Sequence, residues 1–148
     1  MENPFKFLRG PEWDTLKAGA KVQKFAEGET LLAAGTTPRG IMVISQGTAA
    51  VRRDSAGFAL TVAELEAGAI FGEMSFIESM PAEVSLVALT QMETLFIDHA
   101  TVQSIIRDNP AFYGRFFQSL AWLLSRRLRD MTSAVGKQPA DDWLSGGD

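Results

Sequence analysis

The first two thirds of the chain read as short apolar runs punctuated by turn residues, and the C-terminal third changes to a helical period. Gly10 and Pro11 precede a short amphipathic segment, Glu12 to Ala18, where Pro11 suits a first helical turn. After Gly28 the runs are Thr30 to Ala33, Ile41 to Ser45, Thr48 to Arg53 and Phe58 to Leu65. They are separated by the loop Gly35 to Gly40, by Gln46-Gly47 and by Asp54 to Gly57. This spacing predicts hairpins. Phe58, Leu60 and Val62 alternate with smaller residues, and Val84, Leu86 and Ala88 followed by Met92 to Asp98 repeat the period of two. Both stretches are expected to lay one face on a core.

Asp108-Asn109-Pro110 supplies a cap and a proline, and Ala111 to Met131 then runs unbroken as a long helix. Phe117, Leu120, Leu124, Leu128 and Met131 fall at steps of three and four, while Phe112, Phe116, Leu123 and Tyr113 fill a second stripe. One stripe suffices to dock the helix on the β domain. The other needs a partner, and a homodimer along Phe117, Leu120, Leu124, Leu128 and Met131 is the economical expectation; the alternative is that both stripes are core. Arg126, Arg127 and Arg129 read as basic residues in the last turns, opposing the helix dipole. Residues 1–10 read as an N-terminal extension, 11–135 as one domain and 136–148, polar and glycine-rich, as a flexible tail.

With 148 residues, 46% apolar and 22% charged, the chain suits one globular domain. The absence of cysteine excludes disulfides, thiolate metal sites and a cysteine nucleophile. No apolar run approaches the roughly 20 residues needed to span a bilayer, and the N-terminus MENPFKFLRG lacks a secretory pattern, so a cytoplasmic protein without a membrane partner is expected. A net charge of -4 and a pI near 5.0 argue against unaided nucleic-acid binding. Charge is uneven: Asp54 to Ile106 carries eight acidic residues and no lysine or arginine, whereas Arg107 to Arg129 carries five arginines. No nucleophile and base cluster together, so binding is expected rather than catalysis, with no catalytic residues. His99, the sole histidine, reads as a local cap or surface residue at a strand-to-helix junction, and no metal site is expected. Neither a calcium loop nor a phosphate loop with a following lysine is present.

Five segments carry a family resemblance by their order: GETLLAAG, IMVISQG, VAELEAGAIFGEM, LVALTQMETLFID and NPAF. From about Pro11 to Arg129 the chain resembles the cyclic nucleotide-binding domain of catabolite-activator-like regulators, cyclic-nucleotide-dependent kinases and gated channels. The resemblance implies a mainly β fold with helices. It would be an eight-stranded, jelly-roll-like β-roll with a short N-terminal helix and a C-terminal pair that ends in the long helix. It further implies a regulatory, non-enzymatic module whose ligand would be cAMP or cGMP, with no other cofactor. The site would include Phe71, Gly72, Glu73, Met74, Ser75, Ala82, Glu83 and Ser85.

In such a cassette a cyclic phosphate sits at the start of a short helix, here Phe71 to Phe76. Gly72 lets the backbone approach, and Glu73 accepts a ribose hydroxyl; without a ligand, Glu73 still serves as a carboxylate at a helix start. The arginine that forks onto the phosphate aligns with Ala82, nine residues after Glu73, or with Glu83 under a one-residue longer loop. Neither restores it. Ser85 aligns with a small hydroxyl that donates to a phosphate oxygen. A charge-assisted arginine pair is worth roughly 1.5 to 3 kcal/mol. Repulsion from Glu83 adds up to roughly 4 kcal/mol at about 4 Å for an effective dielectric near 20. Affinity for cAMP or cGMP is therefore expected to be weak or lost, by about two to four powers of ten. Rescue needs Arg39, Arg52, Arg53, Arg126 or Arg127 from outside the cassette. The alternative is a ligand-free dimeric adaptor for an unknown protein partner. Trp13, Trp122 or Trp143 could lie over a base, although Trp122 suits a core or dimer seam better. Only about seventeen residues follow Met131, so no appended DNA-reading helix-turn-helix is expected.

Overall fold

The computed structural model describes residues 1–137; residues 138–148, with Trp143 and most of the expected tail, lie outside the described residues, as do the side chains of Ser55, Ser75, Phe76 and residues 133–137. In chain order the elements are α1 (Gly10–Ala18), β1 (Lys21–Phe25), β2 (Thr30–Leu32), β3 (Gly40–Gln46), β4 (Ala49–Ser55), β5 (Phe58–Leu65), β6 (Ile70–Phe71), α2 (Glu73–Glu78), β7 (Ser85–Ala88), β8 (Met92–Asp98), α3 (His99–Asp108) and α4 (Ala111–Lys137). The strands form two four-stranded antiparallel sheets, β1-β8-β3-β6 and β2-β7-β4-β5. This is the expected eight-stranded β-roll.

The central strands β3 and β8 of the first sheet are buried on both faces, which explains the near-continuous apolar run of β3. Ile41 and Val43 face the helices with Leu95 and Ile97, against Trp13, Leu16, Val102, Phe112, Phe116 and Leu120. Ile44 and Met42 point the other way, into the roll, with Leu31, Phe71, Leu86 and Met92. Residues 1–10 are no appendage: Phe5 and Leu8 belong to the helix-side core, and the Phe7 backbone N–H donates to Ser119 Oγ at 2.9 Å. Trp13 is buried against Phe5 in the same core, so it cannot cover a ligand base.

Three features depart from the sequence pattern. Phe58, Leu60 and Val62 on β5 are not on a core; they are 71%, 52% and 53% exposed. β5 is the edge strand, and the β4–β5 hairpin runs on past the last β4–β7 pair, Arg52 with Ser85, so its outer half has nothing to pack against. The strand Lys21–Phe25 was not anticipated because KVQKF lies half exposed and lacks a clear period. The helix His99–Asp108 was not delimited either, although its signal was present. Asp98 caps it by accepting from the Thr101 backbone N–H at 2.7 Å, an interaction that holds the Asp98 carboxyl below its ordinary range. The cap is thus Asp98, while His99 opens the helix and its backbone N–H donates to the Arg39 carbonyl at 3.0 Å.

The helices are held to one another by a partly buried ion pair. Arg115 of α4 donates to Glu12 of α1 in a fork, with Nε at 2.8 Å and Nη2 at 2.6 Å. The Arg9 backbone N–H donates to the same carboxylate at 2.9 Å. Hydrogen bonding from Arg115 holds the Glu12 carboxyl below its ordinary value of 4.5, against the opposing effect of burial. A depressed carboxylate contributes stability above its unfolded value and loses it as pH falls through the folded value. Glu12→Gln should therefore lower the melting temperature by several degrees at neutral pH, and the gap from the parent should close as pH falls below about 4.5. Thermal melts followed by circular dichroism across that range check it.

Candidate functional site

Strand β6 is followed by Gly72, whose φ of +86° favours glycine, and a Cβ there would meet the Gly40 carbonyl oxygen at 3.0 Å. Backbone geometry alone thus requires the glycine. The turn delivers Glu73 as the first residue of α2 and buries its side chain, leaving 4% exposed. Phe71 is committed to the roll core, and Met74 is 56% exposed. The side chain of Ser75 lies outside the described residues.

Glu73 is reached from α4. Arg127 donates through Nη1 to Glu73 Oε1 and through Nη2 to the Ile70 carbonyl. One guanidinium therefore joins the strand before the cassette, the cassette helix and the long helix. A buried carboxylate needs such a cation, because an unpaired charge at this depth costs several kcal/mol. The expectation that Arg126, Arg127 and Arg129 sit in the last turns is overturned. The helix runs on to Lys137, two or more turns beyond them, and dipole effects fade within one turn. Arg127 lies four positions after Leu123 and seven after Leu120, a spacing that marks it as inward only once that stripe is known to be the buried one.

The segment that should carry the phosphate arginine is fixed to the loop after β2. The Gly35 N–H donates to the Ala82 carbonyl and the Ala82 N–H to the Thr36 carbonyl, both at 2.8 Å. Ser85 Oγ accepts from the Ala34 N–H at 2.9 Å, so its hydroxyl is engaged by backbone. Ala82 is half-buried and Glu83 is exposed. Solvent screening therefore reduces the Glu83 repulsion from the expected ~4 kcal/mol toward ~1 kcal/mol. The missing arginine is the larger deficit. Among the described residues, Arg39 and Arg53 are exposed, and Arg52, half-buried, pairs with Ser85 across β4 and β7. Arg126 lies over the Trp122 ring at 5.3 Å, with Lys6 also at 5.3 Å from that ring. Trp122, half-buried, is thus flanked by two cations. Of the five arginines considered for rescue, the one that contacts the cassette among the described residues is Arg127.

The α4 stripe drawn from the sequence divides. Leu120 is fully buried in the chain's own core with Phe112 and Phe116, which removes it from any seam with a partner, and Phe117 packs partly on that core. Leu124 is half-buried, while Tyr113 (55%), Leu128 (65%) and Met131 (65%) are exposed. Among the described residues no group of three or more histidine, aspartate or glutamate side chains could hold a metal ion, and no helix is long and apolar enough to cross a membrane.

Residues 22–109 match the family described as the cyclic nucleotide-binding domain. The chain belongs to that family. It is 27% identical over 117 residues to the HTH-type transcriptional regulator Cmr of Mycobacterium tuberculosis, covering 79% of this chain and 48% of the relative. The Thermus thermophilus catabolite activator protein superposes with a TM-score of 0.77 at 26% identity, over 90% of this chain and 62% of that one. A cyclic nucleotide-binding domain from Methylobacillus flagellatus gives a TM-score of 0.80 at 24% identity, over 86% and 72%, and shows the shared fold. The chain spans about half the length of the curated relative.

The Glu73–Arg127 pair can be measured directly. A double-mutant cycle with Glu73→Gln and Arg127→Ala should give a coupling of about 1–3 kcal/mol in denaturant unfolding. Amide exchange in α4 beyond Leu123 should quicken in Arg127→Ala, because that part of the helix loses its link to the roll. A coupling near zero with unchanged exchange would show the pair to be incidental.

Proposed function

We propose that this domain is a regulatory ligand-sensing module with weak or lost affinity for cAMP and cGMP, and that α4 reads its occupancy. The observation that carries this reading is the pairing of two facts: Ala82 stands where a phosphate needs an arginine, and Glu73 is tied to α4 through Arg127. A ligand hydroxyl that engages Glu73 alters its pairing with Arg127, and so biases the position of the long helix. The partly or fully exposed residues Tyr113, Phe117, Leu124, Leu128 and Met131 make α4 the face for a second copy, so a shift in α4 becomes a change in a homodimer. A cytoplasmic regulator is the setting this implies. The transcriptional roles named for the relatives reach this chain only as the proposal that its output is regulatory.

A second reading, a ligand-free dimeric adaptor, is favoured by one observation: Glu73 already has its cation. Two measurements test the first reading. Calorimetric titration of the parent should show no low-micromolar affinity for cAMP or cGMP, and Ala82→Arg with Glu83→Ala should raise cAMP affinity by at least about tenfold. Low-micromolar binding by the parent sinks the claim of a degenerate cassette, and no gain in the double variant favours the adaptor.

The dimer face has its own test. Leu124→Glu places a charge in a desolvated seam whose apolar side chains contribute roughly 1.5 to 3 kcal/mol each. The variant should elute as a folded monomer in chromatography with light scattering, where the parent elutes as a dimer. A parent already monomeric at high micromolar concentration ends the proposal.

A further inference from the structure

We infer that the ligand of this roll is uncharged, a ribonucleoside or similar polyhydroxyl compound that offers hydroxyls to Glu73 and carries no phosphate. The inference rests on the sensing reading above and narrows its ligand class. Three observations carry it.

The first is charge. The span from Asp54 to Ile106, which builds β5, β6, α2, β7, β8 and most of α3, holds eight acidic residues and no lysine or arginine, and Arg52 of β4 is a cation paired with it, opposite Ser85. Carboxylates in that excess disfavour an incoming anion and leave a neutral molecule unaffected. The second is that the cassette's own chain cannot supply a cation. Ala82 is locked by paired backbone hydrogen bonds to Gly35 and Thr36, and Ser85 Oγ is engaged by Ala34, so this rim offers a phosphate a hydroxyl at most.

The third concerns the guanidinium that is present. Arg127 already uses Nη1 on Glu73 and Nη2 on the Ile70 carbonyl. Turning it toward a phosphate would strand the Glu73 carboxylate, 4% exposed, without a cation. Stranding a buried charge costs more than one exposed-side charge pair returns, so an anion does not recruit this arginine. A hydroxyl makes no such demand. An ionised carboxylate only accepts hydrogen bonds, and ribose or polyol hydroxyls donate to it while Arg127, its pairing altered by the new donor, remains beside it as the cation.

The test titrates the full chain with adenosine, guanosine, cAMP and cGMP by calorimetry, each at about 50 mM and about 500 mM salt, where screening of charge differs severalfold. Each nucleoside should bind at least about tenfold more tightly than its cyclic nucleotide, with an affinity that salt leaves unchanged. Ala82→Arg should then move the preference toward the cyclic nucleotide by at least about tenfold, which assigns both ligands to one site. Cyclic nucleotides that bind as tightly as the nucleosides, or a preference that Ala82→Arg leaves unmoved, overturn the inference and leave the sensing reading standing. Silence from all four ligands, in the parent and in the variant carrying both Ala82→Arg and Glu83→Ala, overturns the sensing reading and this inference with it.

Discussion

A carboxylate buried to the depth of Glu73 is tolerable only with a cation beside it, and the cation comes from the far end of the chain, on Arg127 of α4. Much else in the architecture follows from that requirement. The helix must cross the roll near β6, its inward stripe must continue from Leu120 and Leu123 to Arg127, and the turn at Gly72 must aim Glu73 inward. A buried pair of this kind adds little net stability compared with apolar residues of the same size, yet it is costly to break on one side. It fixes where α4 lies, and under the proposed sensing reading that would let α4 report the state of the roll.

The first sheet makes this tether mechanically meaningful. Because β3 and β8 are packed on both faces, by the roll core on one side and by α1, α3 and α4 on the other, the two cores share a wall. Close-packed walls transmit displacement instead of absorbing it. The Glu12–Arg115 fork holds α1 to α4 near its start, and Glu73–Arg127 holds the roll to α4 twelve positions further along the helix. Two ion pairs thus pin the helix at separate points along its length.

Most strands were legible because period two and turn residues coincide between Gly28 and Asp98. The failures have physical causes. Phe58, Leu60 and Val62 obey the alternation of a half-buried strand, but sequence cannot say that the hairpin outruns its neighbour, so their exposure was invisible. On α4 the spacing showed two stripes without saying which faced inward, and Leu120 fell on the wrong one. The turn at Gly72 and the helix that starts at Glu73 were readable through family order. The Glu12–Arg115 fork was not, because its partners lie 103 positions apart and match no local pattern.

The choice between sensing and adaptor readings turns on what Glu73 gains from a ligand. In a site built around a cassette arginine, the phosphate contributes most of the directional energy, and a ribose hydroxyl on the glutamate refines the fit. Here Ala82 offers no cation, while the glutamate keeps its burial and its partner. A residue kept only as a helix-start carboxylate would gain nothing from being sunk to 4% exposure, since dipole interactions work at the surface and burial costs solvation. The depth of Glu73 is therefore better explained by a role inside the roll, either as the anchor of α4 or as the acceptor for a ligand that does not need the lost arginine.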